Sequence, residues 1–101
     1  MVELLTIEMF ADRLNDVFAV TIDRSTVIEM ELIEVKDLRE RFGGGAGLSR
    51  IPFSIIFRGP EDQVCEQRTY RFEHTDLGVQ EIFIVPIGPG PGGMRYEAVF
   101  S

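Results

Sequence analysis

From Phe18 to Phe100 the apolar residues return at every second position in short runs, each run closed by a turn signal. A period of two places neighbouring side chains on opposite faces of an extended chain, so this stretch is committed to strands. Phe18, Val20 and Ile22 alternate with Ala19, Thr21 and Asp23, and Asp23-Arg24-Ser25-Thr26 turns the chain. Ile28, Met30 and Leu32 then alternate with Glu29 and Glu31, which gives a strand with one wet, acidic face. Past Ile33 the alternation slips, the mark of a bulge or a strand end. A third strand is predicted from Pro52 to Arg58, with Phe53, Ile55 and Phe57 on one face, and Gly59-Pro60-Glu61-Asp62 as the turn after it. The fourth runs from about Glu66 to His74, the fifth from Val79 to Ile87 and the sixth from Met94 to Phe100. Asp76-Leu77-Gly78 closes a tight hairpin between the fourth and fifth, and Gly88 to Gly93 reads as a loop.

Two segments depart from the period. Ile7, Phe10, Ala11 and Leu14 fall at i, i+3, i+4 and i+7, an apolar helical stripe behind a Thr6 N-cap. Leu5 is placed to staple against Phe10, and Asn15 is suited to the left-handed conformation that ends a helix. The second departure is the 36–51 connection: Lys36 to Phe42 is read as a helical turn, and Gly43-Gly-Gly-Ala-Gly47 as a flexible link. The 101 residues allow a single domain, 1–101, with one modest core. The expected fold is mostly β: about six antiparallel strands in a small barrel or sandwich, with one short N-terminal helix.

Turn positions also give a register. Pairing Ile87 with Met94 sets Val85 against Tyr96 and Phe83 against Ala98, and pairing His74 with Val79 sets Tyr70 against Phe83. Phe83, Tyr70, Phe72, Val85 and Tyr96 are thereby assigned to one face. Ile82, Ile84 and Val99 then fall on the other, where a one-sided sheet would be polar. The N-terminal helix, a second sheet or another chain must cover them. With Ile56 of the third strand, Ile82, Ile84 and Val99 are the interface candidates.

Charge narrows the function classes. Ten Lys and Arg face 17 Asp and Glu, a net charge of −7, which opposes nucleic acid and anionic membrane surfaces. Residues 1–42 hold 10 acids and 5 bases, and residues 43–101 hold 7 and 5, so a partner surface is expected on the C-terminal half. One cysteine forms no internal disulfide, the N-terminus lacks a basic signal region, and no apolar run approaches the ~20 residues of a membrane span. The expected compartment is the cytoplasm, with export by a signal-independent route as the alternative.

The residues that carry chemistry do not assemble into a motif. The glycine run 43–47 leads to Leu48-Ser49-Arg50 and then Pro52, without the Lys-Ser/Thr pair or the helix of a phosphate loop. Cys65 and His74 are the lone residues of their kinds, nine positions apart with opposite parity on one predicted strand, which excludes a dyad there. Cys65 is expected to be a small buried residue and His74 a strand-end residue bonded near the Asp76 turn. One His and one Cys do not build a four-ligand zinc site. Glu29, Glu31 and Glu34 read as a solvated face, and no carboxylate pair is singled out for hydrolysis. No catalytic residue, metal or cofactor is assigned.

The segments Phe53-Ser-Ile-Ile-Phe-Arg-Gly-Pro60, Thr69-Tyr-Arg-Phe-Glu-His74 with Leu77-Gly78, Ile82-Phe-Ile-Val-Pro86 and Arg95-Tyr-Glu-Ala-Val-Phe100 resemble a family of bacterial proteins of about this length and of unknown function. The resemblance spans nearly the whole chain and implies no activity, cofactor or catalytic residue. It implies an accessory of phage-tail-like fibre or collar assemblies. The leading expectation is a non-enzymatic structural or interaction module that binds a protein partner or itself. A barrel binding a small ligand between Tyr70, Phe72 and Tyr96 is the alternative, and a hydrolase using acidic residues comes third.

Overall fold

A computed structural model describes residues 5–40 and 51–100. A short helix, α1 (Ile7–Ala11), precedes β1 (Val17–Asp23), β2 (Thr26–Asp37), β3 (Phe53–Arg58), β4 (Arg68–His74), β5 (Gly78–Gly90) and β6 (Gly93–Phe100). The strands close into an antiparallel barrel in the order β1-β2-β3-β6-β5-β4. The fold is thus a barrel and not a sandwich. The connection from β3 to β4 must cross one end of the barrel, because β6 and β5 lie between those strands.

Alternation turns one side chain in two inward. Phe18, Val20, Met30, Leu32, Phe53, Ile55, Phe57, Phe72, Ile82, Ile84, Tyr96 and Ala98 are buried, and they fill the interior as expected for so narrow a barrel. Rings dominate it: Phe57 lies 4.7 Å from Phe72 and 5.3 Å from Phe18 between centroids. Each such side chain contributes roughly 1.5–3 kcal/mol on burial.

The two ends are closed differently. At one, α1 drops Phe10 among Phe18, Phe53 and Phe100, with centroids 6.4, 5.8 and 5.8 Å away. The helix stops at Ala11, short of Leu14, which is exposed. Thr6 makes no side-chain cap bond. Five residues do not hold a helix by propensity, so the burial of Phe10 holds it. Asn15 has φ +74°, the left-handed conformation its type admits, and its N–H donates to Leu32 O at 2.7 Å as the chain enters β1. At the other end the 59–67 crossover lies over two phenols. The Cys65 N–H donates to Tyr96 Oη at 2.8 Å, and Tyr70 Oη donates to Glu66 O at 2.8 Å.

The slip past Ile33 is a bulge between Leu32 and Glu34, after which β2 continues to Asp37 as a partner of Phe53. Lys36 and Asp37 are therefore strand, not the predicted helical turn, and Leu38 is buried behind them. Arg41, Phe42 and the glycine run 43–47 lie outside the described residues.

Both hairpin registers differ from expectation by one residue. His74 pairs with Gly78, not Val79, which sets Tyr70 against Ile82. Gly78 adopts φ +71°, so it joins the ladder at a conformation few other residues accept, and the loop is Thr75-Asp76-Leu77. In the second hairpin, Gly88-Pro89-Gly90 is strand, and the chain reverses at Pro91-Gly92 between Gly90 and Gly93. A bulge between Pro86 and Gly88 then sets Val85 against Glu97. A one-residue slip exchanges the faces of a strand. Ile82 and Ile84 therefore point inward with Tyr70, Phe72 and Tyr96, while Phe83 and Val85 point outward.

Candidate functional site

Ile82 and Ile84 are 1 % and 0 % exposed, so they are core residues and not interface residues. The barrel covers them itself; neither α1 nor another chain is needed. The other two candidates remain outside. Val99 is 52 % exposed on β6, and Ile56 is partly covered on β3. The register exchange supplies them with new neighbours, because Phe83 is 50 % exposed on β5 and Val85 is partly covered beside it. The ladder places Ile56 opposite Glu97, and Glu97 opposite Val85. The outer surface of β3, β6 and β5 thus carries four apolar side chains around Glu97, with Glu81 next to Phe83 on β5 and the facing pair Arg58 and Arg95 farther along β3 and β6. Strand periodicity could have found Phe83 had the hairpin loop been given three residues.

The outer surface of β1, β2 and β4 is different. Ala19 of β1 lies between Glu29 of β2 and Glu73 of β4. These three, with Val17, His74, Thr75 and Gly78, line an open groove of about 480 Å³. The small alanine side chain leaves the space between the two carboxylates. His74 stands at the end of this groove, largely buried against Phe18 at 4.8 Å between ring centroids. Its Nδ1 accepts from the Asp76 N–H at 3.0 Å, as its place near that turn suggested. The same nitrogen faces the Leu77 N–H at 3.4 Å. An accepting Nδ1 places the proton on Nε2, which donates to Asp16 Oδ2 at 2.8 Å. Asp16 is 58 residues away in sequence, and only the fold brings it there. Both ring nitrogens are spent on tying the β4–β5 turn to the start of β1. Arg13 adds to that tie, with its Nε 3.5 Å from Asp76 Oδ2.

Cys65 lies before β4 and His74 ends it, so they occupy opposite ends of the barrel. Cys65 is buried, and burial raises its thiol pKa, which opposes the reactive thiolate. Burial also raises the Tyr70 phenol and pushes Tyr96 up to about 12, so both act as neutral hydroxyls. Asp23 is held below the usual carboxylate range by the Ser25 backbone N–H, and Asp37 by the Arg39 backbone N–H. On the outer wall Arg58 pairs with Glu31. Among the described residues no group of three or more His, Cys, Asp or Glu is placed to hold a metal ion. Among the same residues no helix is long and apolar enough to cross a membrane.

The family model of DUF6916, a domain of unknown function, matches residues 5–100, from just before α1 to the end of β6. The chain belongs to that family. The DUF6916 match thus takes in every strand of the barrel and its helical plug. No curated protein and no solved structure matches the chain.

Proposed function

We propose that this domain is a protein-interaction module that docks a partner protein on the outer surface of β3, β6 and β5. The observation that carries the reading is the half-exposure of Phe83 and Val99 on a barrel whose own core is already full. Exposed aromatic and aliphatic groups beside partly covered ones are what a docking patch offers. Glu97 sits among them and Arg95 lies two residues along the same row, so the partner surface is apolar with polar or charged groups to meet both. A second copy meets this face with like charge, since each chain carries −7, and is the weaker candidate. An accessory role in a fibrous or tail-like assembly is one setting in which such a module works.

The competing readings have less support. A ligand site between Tyr70, Phe72 and Tyr96 needs space there, and all three are buried, the two phenols in hydrogen bonds to the crossover. A hydrolase is favoured by a carboxyl of raised pKa, and among the described residues the carboxyls with displaced values, Asp23 and Asp37, are both lowered. Affinity capture with the Phe83→Ser/Val99→Ser double variant tests docking. The variant is expected to fold within about 1 kcal/mol of wild type and to lose a partner that wild type and a Glu29→Gln/Glu73→Gln variant both retain. Equal capture by all three would contradict the reading.

A further inference from the structure

We infer that Arg95, beside Gly88 on the outer surface of β6 and β5, is a recognition site for a carboxylate of the partner protein. This rests on the docking reading above and names a charged group that the partner brings to the face. The ladders set one row across four strands, in the order Glu31, Arg58, Arg95 and Gly88. Two arginines thus stand directly opposite each other, and like charges so placed repel. Arg58 is compensated on its far side, where it pairs with Glu31. Among the described residues three arginines are partly buried. Arg13 faces Asp76 and Arg58 holds Glu31, whereas Arg95 has neither a hydrogen bond nor an ion pair among those residues.

The described chain does not complete this row itself. At Gly88, the next place in it, φ is +115°, a backbone conformation that residues with side chains rarely adopt. An Asp or Glu is therefore disfavoured there, and the space into which it would project is open, with no atom within 4 Å of a Cβ at that position. Two residues on, Gly90 also faces outward, and a Cβ on it would collide with Arg95 Nε. The Arg95 guanidinium thus lies on glycine backbone, next to the open place at Gly88. Arg58 leans on the same hairpin, with its Nε and Nη1 3.5 Å from where a Gly92 Cβ would stand.

The charges of the row select the anion. Glu31, Arg58 and Arg95 together leave one cation uncompensated, which matches a single carboxylate. A planar guanidinium binds a carboxylate through two parallel N–H bonds. Glu97 lies two residues along β6, and Glu61 borders Gly90 from the crossover. Neither is paired with Arg95. Both repel additional negative charge, so the site suits one carboxylate and opposes a phosphate dianion or a polyanion. Ile87, 48 % exposed, adjoins Gly88, and Val85 faces Glu97 on the same strand. The carboxylate therefore arrives on an apolar segment that is continuous with the docking face.

Magnetic resonance of the arginine Nε–H groups in the full chain tests this, with acetyl-Leu-Glu-Leu-amide as probe and acetyl-Leu-Gln-Leu-amide and inorganic phosphate as comparisons. The Glu peptide is expected to shift the Arg95 Nε–H signal and to saturate, with the Gln peptide about tenfold weaker or more. Arg95→Lys should keep the melting transition and weaken the Glu peptide about tenfold, because a point charge replaces the planar fork. Equal response to the two peptides would overturn the inference, as would shifts at the exposed Arg24 and Arg71 as large as at Arg95. Phosphate binding tighter than the Glu peptide, or dimerisation through Arg95, would also overturn it. If Phe83→Ser/Val99→Ser still abolished capture in any of those cases, docking on the face would stand without this anchor. If the double variant kept its partner while Arg95 took the Glu peptide, the carboxylate site would stand and the docking reading alone would fall.

Discussion

The two faces of β5 carry nearly the same kind of side chain and serve different ends. Ile82 and Ile84 on the inner face are fully buried among rings, whereas Phe83 and Val85 on the outer face meet solvent in whole or in part. Apolar character therefore does not distinguish core from surface in this strand; parity relative to the turns does. The comparison teaches that a strand apolar on both faces need not lie between two layers. A closed barrel buries one face by itself and leaves the other to solvent.

The largest expected effect of breaking this contrast lies on the inner face. Ile84→Ala removes a buried side chain from a packed barrel and should cost about 2–5 kcal/mol in chemical denaturation. Phe83→Ser, one residue away, should change stability by no more than about 0.5 kcal/mol. If Phe83→Ser cost as much as Ile84→Ala, the assignment of faces would be wrong.

A smaller effect is expected where the inner face meets the crossover. Tyr96→Phe leaves the Cys65 N–H without its acceptor, and should cost about 1–3 kcal/mol near neutral pH. It also changes the alkaline limb of the stability curve. The Tyr96 phenol is raised in the folded state from an ordinary 10.0 to about 12. Its proton is bound more tightly when folded, so the contribution is whole below pH 10, falls as the unfolded chain ionises, and is gone near pH 12. Denaturation midpoints between those pH values should fall more steeply for wild type than for Tyr96→Phe. Equal slopes would place Tyr96 in water.

Much of the fold was legible because six runs of period two left little freedom. The helix start near Thr6, the left-handed Asn15, the bulge after Leu32 and the bond between His74 and its turn were each tied to a local signal. The registers were not legible, for one shared reason. Gly78 and the Gly88–Gly90 run have the composition of loops yet are part of strand ladders. The shorter first loop moved its register by one residue, and in the second hairpin the tight turn moved it by two and the bulge between Pro86 and Gly88 took one back. The two hairpins therefore agreed with each other on a face assignment that was wrong. Ile56 and Val99 were placed on the outer surface because their strands were read with correct parity, and Phe83 was placed inward because its strand was not. Asp16 beside His74, and Glu29 and Glu73 across Ala19, depend on contacts distant in sequence, which no local pattern carries.

On the proposed reading the β3–β6–β5 surface, and not the acidic surface around Ala19, receives the partner. Site-specific photocrosslinking addresses it directly, with the crosslinker placed once at position 83 and once at position 19. The account predicts a crosslinked partner protein from position 83 and none from position 19. Crosslinking from position 19 alone, or from neither position while wild type still captures a partner, would contradict it.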